Sequence, residues 1–212
     1  MDEILIEEIV KRVKETLANS KETSNIIPIE ASGRHIHLSK ENVEILFGKG
    51  YKLKEKKELS QPGQYQCMER ATLIGPKGVI ENVAILGPER GKTQVEVSKT
   101  DARQLGINPP VRDSGDLKGS ETVYIATEKA VVEARESVIV AKRHIHMNNE
   151  DAIRFNVKDK DTVNVRVKSD RPVVFEDVVI RVSDKYKLSM HIDFDEANAS
   201  SFKNGMVAEI IS

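Results

Sequence analysis

Two segments of the chain, SGRHIHLSKENVEILF (residues 32–47) and AKRHIHMNNEDAIRF (residues 141–155), follow one plan. Each is typical of a strand that ends in Arg-His-Ile-His, followed by a polar stretch that can cap a helix and then by a short helix. Such an internal repeat predicts two related β units in one chain.

The rest of the chain after residue 26 consists mainly of short β-branched runs separated by glycine and proline. Examples are TQVEVS (93–98), TVNVRVKS (162–169) and PVVFEDVVIRVS (172–183). Short helices are predicted only at 39–47, 99–105 and 148–155. Many short strands suit small closed barrels, because closure removes exposed strand edges. The sequence therefore predicts a mainly β fold of two small β-barrels with short helices.

The N-terminal residues follow a different pattern. Apolar side chains recur at spacings of three and four, with charged residues between them: Leu5, Ile6, Ile9, Val10, Val13 and Leu17. This spacing predicts an amphipathic helix. A polar stretch follows it, so residues 1–22 are predicted to form an N-terminal helix and linker.

Composition limits the class of partner. The 212 residues include 33 basic and 34 acidic side chains, for a net charge of -1. That balance provides no field to gather nucleic acid or an anionic membrane, and no apolar run approaches the roughly 20 residues needed to span a bilayer. We expect a small-molecule partner, no nucleic acid and no membrane.

The N-terminal stretch and the cysteine content predict the compartment. The start, MDEILIEEIV, lacks the basic region and uninterrupted apolar core of a secretory signal. The single cysteine, Cys67, cannot form an internal disulfide. A cytoplasmic protein is expected.

Four of the five histidines form two His-x-His pairs, and these are the strongest chemical signal in the chain. On a strand, residues i and i+2 point to the same face about 6.6 Å apart, so both imidazoles of a pair can converge on one ion. A catalytic zinc usually has three protein ligands and one open position. Each pair therefore needs a third ligand.

The candidates for the third ligands lie downstream of each pair. His191 is the one remaining imidazole, and Glu96 lies on one face of TQVEVS with Gln94 and Ser98. Asp193 and Asp195 are rival carboxylate ligands. A solvated strand carboxylate is the alternative interpretation of Glu96.

Arg90 and Cys67 are two further candidates for a chemical role. Arg90 lies in the glycine-bounded turn of GPERGKTQVE (87–96), where an arginine can bind phosphate through two parallel hydrogen bonds. Cys67 has no basic neighbour in sequence except Arg70, so it is predicted to be a passive thiol.

Several motifs occur together in this order: ASGRHIHLS, LSQPGQ, LIGPKG, ILGPERGKTQVEVS, LGINPPVRDSGDLKGS, VIVAKRHIHM and MHIDFDEANA. From Ile26 to its end, the chain resembles the PduL-type phosphotransacylases, also called phosphate propanoyltransferases. The resemblance implies two β-barrels side by side with the active site between them. It implies that residues 23–37 and 140–212 form one barrel and residues 38–139 the other.

The resemblance also implies a set of site residues. Two zinc ions would be held by His35, His37 and Glu96, and by His144, His146 and His191. Arg90 would contact phosphate. CoA contacts are implied for Ala31, Ser32, Gly33, Lys77 and Asn198. Many relatives carry arginine where this chain has Ala84, so one cationic contact to CoA is expected to be missing.

The implied activity is that of a phosphate acyltransferase, which interconverts a propanoyl- or acetyl-CoA and phosphate with the acyl phosphate and CoA. Direct transfer is expected, with one ion serving the thioester and the other, with Arg90, serving phosphate. A homodimer is expected. The N-terminal helix either directs the enzyme to a bacterial microcompartment partner or packs on its own protein.

Two other functions fit the same residues. One is a dinuclear zinc hydrolase of an ester or thioester, and the other is a non-catalytic β module held together by zinc. Dependence of the reaction on phosphate separates acyl transfer from both.

Overall fold

A computed structural model gives the structure of the protein and describes residues 25–211. Within this range the chain forms fourteen strands and four short helices. In chain order they are β1 (Ile27–Ala31), β2 (His35–Ser39), α1 (Lys40–Phe47), β3 (Glu55–Glu58), β4 (Tyr65–Ile74), β5 (Val79–Arg90), β6 (Gln94–Glu96), α2 (Lys99–Leu105), β7 (Val111–Arg112), β8 (Glu121–Ala126), β9 (Val131–Ala141), β10 (His144–Met147), α3 (Asn149–Phe155), β11 (Thr162–Val167), β12 (Val173–Val182), β13 (Ser189–Ile192), α4 (Phe194–Ala199) and β14 (Val207–Ile211).

The predicted N-terminal helix, residues 1–22, lies outside the described residues. Within residues 25–211, no helix is long and apolar enough to cross a bilayer.

The strands close into two barrels, which confirms the predicted fold class. The smaller barrel is the ring β1-β13-β10-β12-β11-β14. The larger barrel is the ring β4-β5-β2-β6-β9-β8, which closes because β8 pairs with both β4 and β9. Strands β3 and β7 extend the larger barrel at its margins.

The two rings have the same order and the same strand directions. In the larger barrel β2 is parallel to β5 and antiparallel to β6, and in the smaller barrel β10 is parallel to β12 and antiparallel to β13. The next strand of each ring is parallel to β6 or β13, and it is β9 in the larger barrel and β1 in the smaller one. The chain therefore crosses between the barrels twice, at residues 32–34 and 142–143.

The first crossover differs from the sequence-based boundary. That boundary placed residues 23–37, and so His35 and His37, in the barrel that holds the C-terminal third. In the structure these histidines lie on β2, which pairs with β5 and β6 of the larger barrel. Residue pattern identifies a strand but not its partner, so the crossover was placed a few residues too late.

The prediction that a strand ends in each Arg-His-Ile-His segment was wrong, because β2 and β10 begin at the first histidine and the arginine lies in the crossover. The His-Ile-His residues show the alternation of a strand. Ile36 and Ile145 are fully buried in the two separate cores. Because successive side chains point to opposite faces, the flanking histidines point away from their own core. They face the neighbouring barrel, where His35, His37 and His146 are also buried.

Helices α2 and α4 begin with matching capping boxes. Ser98 caps α2 and exchanges hydrogen bonds with Asp101 at the third helical position. Asp193 caps α4 and does the same with Glu196. Such reciprocal bonds satisfy backbone N–H groups that a helix start leaves free. They fix both helix starts, with Ser98 two residues after β6 and Asp193 one residue after β13.

We expect Ile145→Ala to lower the free energy of unfolding by about 2–5 kcal/mol, since it leaves a cavity in a closed core. Ile153→Ala is the matched control, because Ile153 is 82% exposed on α3 of the same barrel. Its effect should stay within about 0.5 kcal/mol. Guanidinium chloride unfolding measures both, and equal effects would contradict the description of the core.

Candidate active site

A cavity of about 680 Å³ lies between the two barrels. This volume is within the range of small-molecule sites. Both barrels contribute to its wall, and these lining residues include the following polar side chains: His37, Arg90, Glu96, His144, His146, Arg181, Tyr186 and His191.

The first candidate ligand group lies in the larger barrel. Strands β2 and β6 place His35 directly opposite Glu96 in an antiparallel register, with His35 Nε2 3.5 Å from Glu96 Oε2. The rings of His35 and His37 meet edge to face, with centroids 4.9 Å apart. One ligand atom from each of the three residues lies within 4.8 Å of the others.

The second group lies at the equivalent place in the smaller barrel. Strands β10 and β13 place His144 directly opposite His191. The ring centroid of His191 is 5.2 Å from that of His144 and 4.9 Å from that of His146. Again one ligand atom from each residue lies within 4.8 Å of the others. Glu96 and His191 therefore occupy the same position in the two repeats.

Matching hydrogen bonds orient the first histidine of each pair. His35 Nδ1 lies 2.9 Å from Gly33 O, and His144 Nδ1 lies 2.8 Å from Lys142 O. A carbonyl can only accept, so the proton is assigned to Nδ1 in both rings and Nε2 keeps its lone pair. That is the form in which imidazole binds a metal.

The third residue of each group is also held from its own strand. Gln94 Nε2 donates to Glu96 Oε1 at 2.6 Å, and Ser189 Oγ lies 2.9 Å from His191 Nε2. Each partner lies two residues before the residue it contacts. The same face of the strand thus supplies both the candidate ligand and its support.

The second histidine of each pair provides a test of whether a cation fits. Among the described residues, the Nδ1 atoms of His37 and His146 are buried and have no hydrogen-bond partner. Burying an unpaired polar atom is costly unless another partner binds it. Three neutral nitrogen or carboxylate donors per group are also a donor set that zinc accepts. The residues present therefore fit two cations.

Burial keeps these imidazoles neutral. It lowers the pKa of His146 to about 2 and that of His191 to about 3, and it lowers the pKa of His37 further still. The pKa of His144 is lowered for the same reason. Neighbouring histidines and the positive charge of Arg181 add to the effect on His146 and His191. At neutral pH these four side chains are in their metal-binding form.

The rival carboxylates have other partners. Asp193 accepts the backbone N–H of Glu196 as the cap of α4, and burial raises its pKa to about 6. Asp195 Oδ2 accepts the backbone N–H of Thr100, at the start of α2, at 2.9 Å. Of the three carboxylates considered for the first pair, only Glu96 falls in a group with His35 and His37 among the described residues.

Arg90 points into the cavity beside the first group. Its Nη1 donates to Ser114 Oγ at 3.2 Å, and Ser114 also accepts from Gln94, the side chain that holds Glu96. Burial lowers the pKa of Arg90, and the charge of Glu96 opposes that shift. A half-buried guanidinium with one protein hydrogen bond, at 3.2 Å, is suited to bind an anion.

The predicted CoA contacts fall into two sets. Ala31, Ser32 and Gly33 line the cavity at the first crossover. Lys77 and Asn198 do not occur among the described lining residues. The side chain of Lys77 packs against Gly106 at the end of α2, and Asn198 is exposed on α4.

Cys67 is fully buried in the core of the larger barrel, and burial raises the pKa of its thiol to about 12. The described lining of the cavity does not include it. A protonated, enclosed thiol is a poor nucleophile.

Several cavity residues were not identified from the sequence, and four of them are Gln61, Ser114, Arg181 and Tyr186. One local signal was available for Arg181. ENVAIL (81–86) and EDVVIR (176–181) match, so the repeat extends to β5 and β12, and His146 pairs with Arg181 as His37 pairs with Leu86. The other three lie on loops, where no periodic pattern marks them.

Comparison with known proteins shows which family the chain resembles. The family model for phosphate propanoyltransferase matches residues 28–203. A phosphate propanoyltransferase of Clostridioides difficile (strain 630) is 53% identical over 207 residues, covering 98% of this chain and 95% of that protein. Those of Alkaliphilus metalliredigens and Thermotoga maritima are 52% and 49% identical and cover 100% and 97% of their own lengths. The matches to these two cover 100% and 96% of this chain.

The lowered pKa of His146 predicts a pH effect on the metal-free protein. Between pH 6.5 and about 2 only the unfolded state binds a proton at this position, so stability falls as pH falls below 6.5. From pH 7.5 to 5.5, we expect the free energy of unfolding to drop by about 1.4 kcal/mol more than in His146→Gln. Denaturant unfolding with a chelator present measures the difference. The same pH dependence in both proteins would contradict a lowered pKa of His146 in the folded state.

Proposed function

The chain belongs to the phosphate propanoyltransferase family, and on that basis we propose that it transfers a propanoyl group between CoA and inorganic phosphate in the cavity between its barrels. It is thus a phosphate acyltransferase. The observation that carries the proposal for the site is that Arg90 and members of both three-residue ligand groups line one cavity. Among the described lining residues, His35 is the one member of the two groups that is missing.

Two zinc ions are proposed as the resident metals. His35, His37 and Glu96 would hold one, and His144, His146 and His191 the other. The unpartnered Nδ1 atoms of His37 and His146 and the lowered histidine pKa values support this assignment. When bound, such ions supply Lewis-acid polarisation of a carbonyl and neutralise charge on phosphate or on a leaving thiolate.

The protein's own contribution to phosphate binding comes from both barrels. Arg90 reaches the cavity from the end of β5 in the larger barrel, and Arg181 reaches it from β12 in the smaller one. Their charges are close enough for Arg181 to lower the pKa of Arg90. An anion bound between them relieves this repulsion and is oriented by hydrogen bonds from both sides.

Phosphate is already an anion at neutral pH, so the nucleophile needs orientation more than deprotonation. We propose that Arg90, braced by Ser114, aligns the attacking oxygen while the cavity wall excludes water. Water is the competing nucleophile for a thioester, so its exclusion separates transfer from hydrolysis. Direct attack needs no acylated side chain, and the buried Cys67 is not used.

CoA is proposed to enter along the first crossover, past Ala31, Ser32 and Gly33, with Lys77 and Asn198 as outer contacts. Ala84 lines the same cavity, and Arg70 lies directly opposite it in the β4-β5 ladder. Arg70 also lines the cavity, and its Nη1 atom is buried without a partner within residues 25–211. We propose that Arg70 supplies the positive charge that position 84 lacks.

Four finer points stay predictions. They are acetyl as a second acyl group, a homodimer, a cytoplasmic location, and a microcompartment partner for residues 1–22. A fluorescent protein carrying residues 1–20 tests the last of these in a shell-forming host, where a diffuse signal would count against targeting.

The first test of the function is CoA release from propanoyl-CoA and acetyl-CoA by zinc-loaded protein, with and without phosphate. We expect release to require phosphate and to yield one acyl phosphate per CoA, since direct transfer couples the two products. His144→Ala should lower the rate at least about 100-fold, because loss of one ligand removes several kcal/mol of charge stabilisation.

Chelator treatment followed by zinc addition is the control, and it should restore wild-type activity but not that of His144→Ala. Phosphate-independent release would point to a hydrolase instead. No release in any metal form would point to a binding module.

Arg90→Ala tests the phosphate contact. We expect the KM for phosphate to rise about 10- to 100-fold while the KM for propanoyl-CoA changes little, because charged hydrogen bonds contribute about 1.5–3 kcal/mol. Lys92→Ala is the matched control, since Lys92 lies on the same turn with the same charge but is exposed. Steady-state kinetics with phosphate varied give both constants, and similar changes in the two variants would argue against a specific contact.

A further inference from the structure

We propose that Arg34 and Arg143 are positioning residues, each of which sets the third ligand of one candidate metal group against its histidine pair. Arg34 would serve Glu96, and Arg143 would serve His191. This inference rests on the proposed two-metal site. It assigns a role to the arginine of each Arg-His-Ile-His segment, which the site described above leaves without one.

Arg34 is bound to the start of α2. Its Nη2 lies 2.8 Å from Asp101 Oδ1, and the Asp101 side chain is only 3% exposed. Asp101 is also fixed by the capping box, because its other oxygen accepts the N–H of Ser98 at 3.2 Å. Ser98 lies two residues after Glu96, so the ion pair holds the chain immediately beyond that ligand.

Arg143 makes the equivalent contact at the start of α4. Its Nη1 lies 2.8 Å from Glu196 Oε1, while Glu196 Oε2 accepts the N–H of Asp193 at 3.0 Å. Asp193 lies two residues after His191. The Nε and Nη2 atoms of Arg143 also donate to Glu176 O at 3.0 and 2.8 Å. Hydrogen bonds from all three nitrogens therefore fix the orientation of the guanidinium.

The two ion pairs match in sequence position, although Arg34 Nε is buried without a hydrogen-bond partner among the described residues, where Arg143 Nε donates to Glu176 O. Each arginine directly precedes the first histidine of its pair, and each carboxylate lies five residues after the third ligand. Each arginine also lies in a crossover. A backbone carbonyl of the same crossover, Gly33 O or Lys142 O, orients the first histidine of the pair. One guanidinium thus connects the segment that orients the first ligand to the helix that follows the third.

Strand pairing alone fixes these ligands less completely. Glu96 is the last residue of β6 and His191 the last but one of β13, and both strands are short. Supports outside the ligand shell typically change metal affinity 10- to 100-fold when they are removed. Loss of one of these ion pairs is therefore expected to weaken metal binding at its own ligand group and not at the other.

The test measures zinc affinity of the full-length protein by competition with a chromophoric chelator. The His144→Ala background leaves the group in the larger barrel intact. In it, Arg34→Gln should weaken zinc binding about 10- to 100-fold, and Arg143→Gln should change it less than about twofold. In the His35→Ala background, which leaves the smaller-barrel group intact, the order should reverse.

Arg154→Gln is the matched control in both backgrounds. Arg154 pairs with Asp151 on α3 at 2.5 Å, and its side chain is 39% exposed, against 38% for Arg34. It should leave both affinities unchanged. Arg34→Lys and Arg143→Lys keep the charge and should recover part of the lost affinity, and the visible spectrum of bound Co²⁺ should shift only for the group whose arginine is changed.

If an arginine variant does not fold, Asp101→Asn and Glu196→Gln remove the charge at the other end of each pair and should give the same site-selective loss. Equal weakening of both groups, no weakening, or a change confined to the KM for CoA would overturn the proposal. Wild-type protein that binds no zinc would instead refute the proposed two-metal function.

Discussion

The isoleucine between the two histidines of each pair is the constraint on which the site depends. Ile36 and Ile145 are fully buried in different cores, and a strand must then present both flanking side chains on its other face. Shifting either strand by one residue would bury imidazoles in an apolar core and expose the isoleucine. The cost of that exchange fixes the register of β2 and β10. The histidines consequently point together into the space between the barrels.

The surroundings of the histidine strand, called the frame below, also repeat in the two barrels. In each barrel a parallel neighbour, an antiparallel neighbour with the third ligand, and a capped helix surround the histidine strand in the same arrangement. Even the unusual backbone recurs, since Asn82 and Asp177 have positive φ at equivalent positions of β5 and β12. Asparagine and aspartate tolerate this conformation better than most residues. The difference at the ligands is one substitution, glutamate in one frame and histidine in the other.

Much of the architecture could be predicted, because it depends on local patterns. Strands, short helices and two related barrels follow from the Arg-His-Ile-His repeat, the β-branched runs and the helix caps of the sequence. The structure brings together His35, His37 and Glu96, and likewise His144, His146 and His191. That these two groups bind metal stays a prediction. Their occupancy by zinc is a proposal that sequence and geometry support together.

Other features could not be predicted because they depend on contacts between distant segments. Nothing in the local sequence shows that Asp195 accepts the N–H of Thr100 at the start of α2, or that Ser114 accepts a hydrogen bond from Arg90. Likewise, the strand that begins at His35 could have joined either barrel. Pairing partners decide such questions, and they are set by the burial of both cores at once.

The exchanged strand β1 also affects the order in which the protein can assemble. Every strand of the larger barrel lies between β2 and β9, so that barrel has all of its parts once Ala141 has left the ribosome. The smaller barrel pairs Ile27 with Ala208, so it needs both ends of the described chain. Contacts between residues far apart in sequence form slowly, and domains completed early in synthesis fold first. We therefore expect the larger barrel to fold before the smaller one, and the cavity between them to form last.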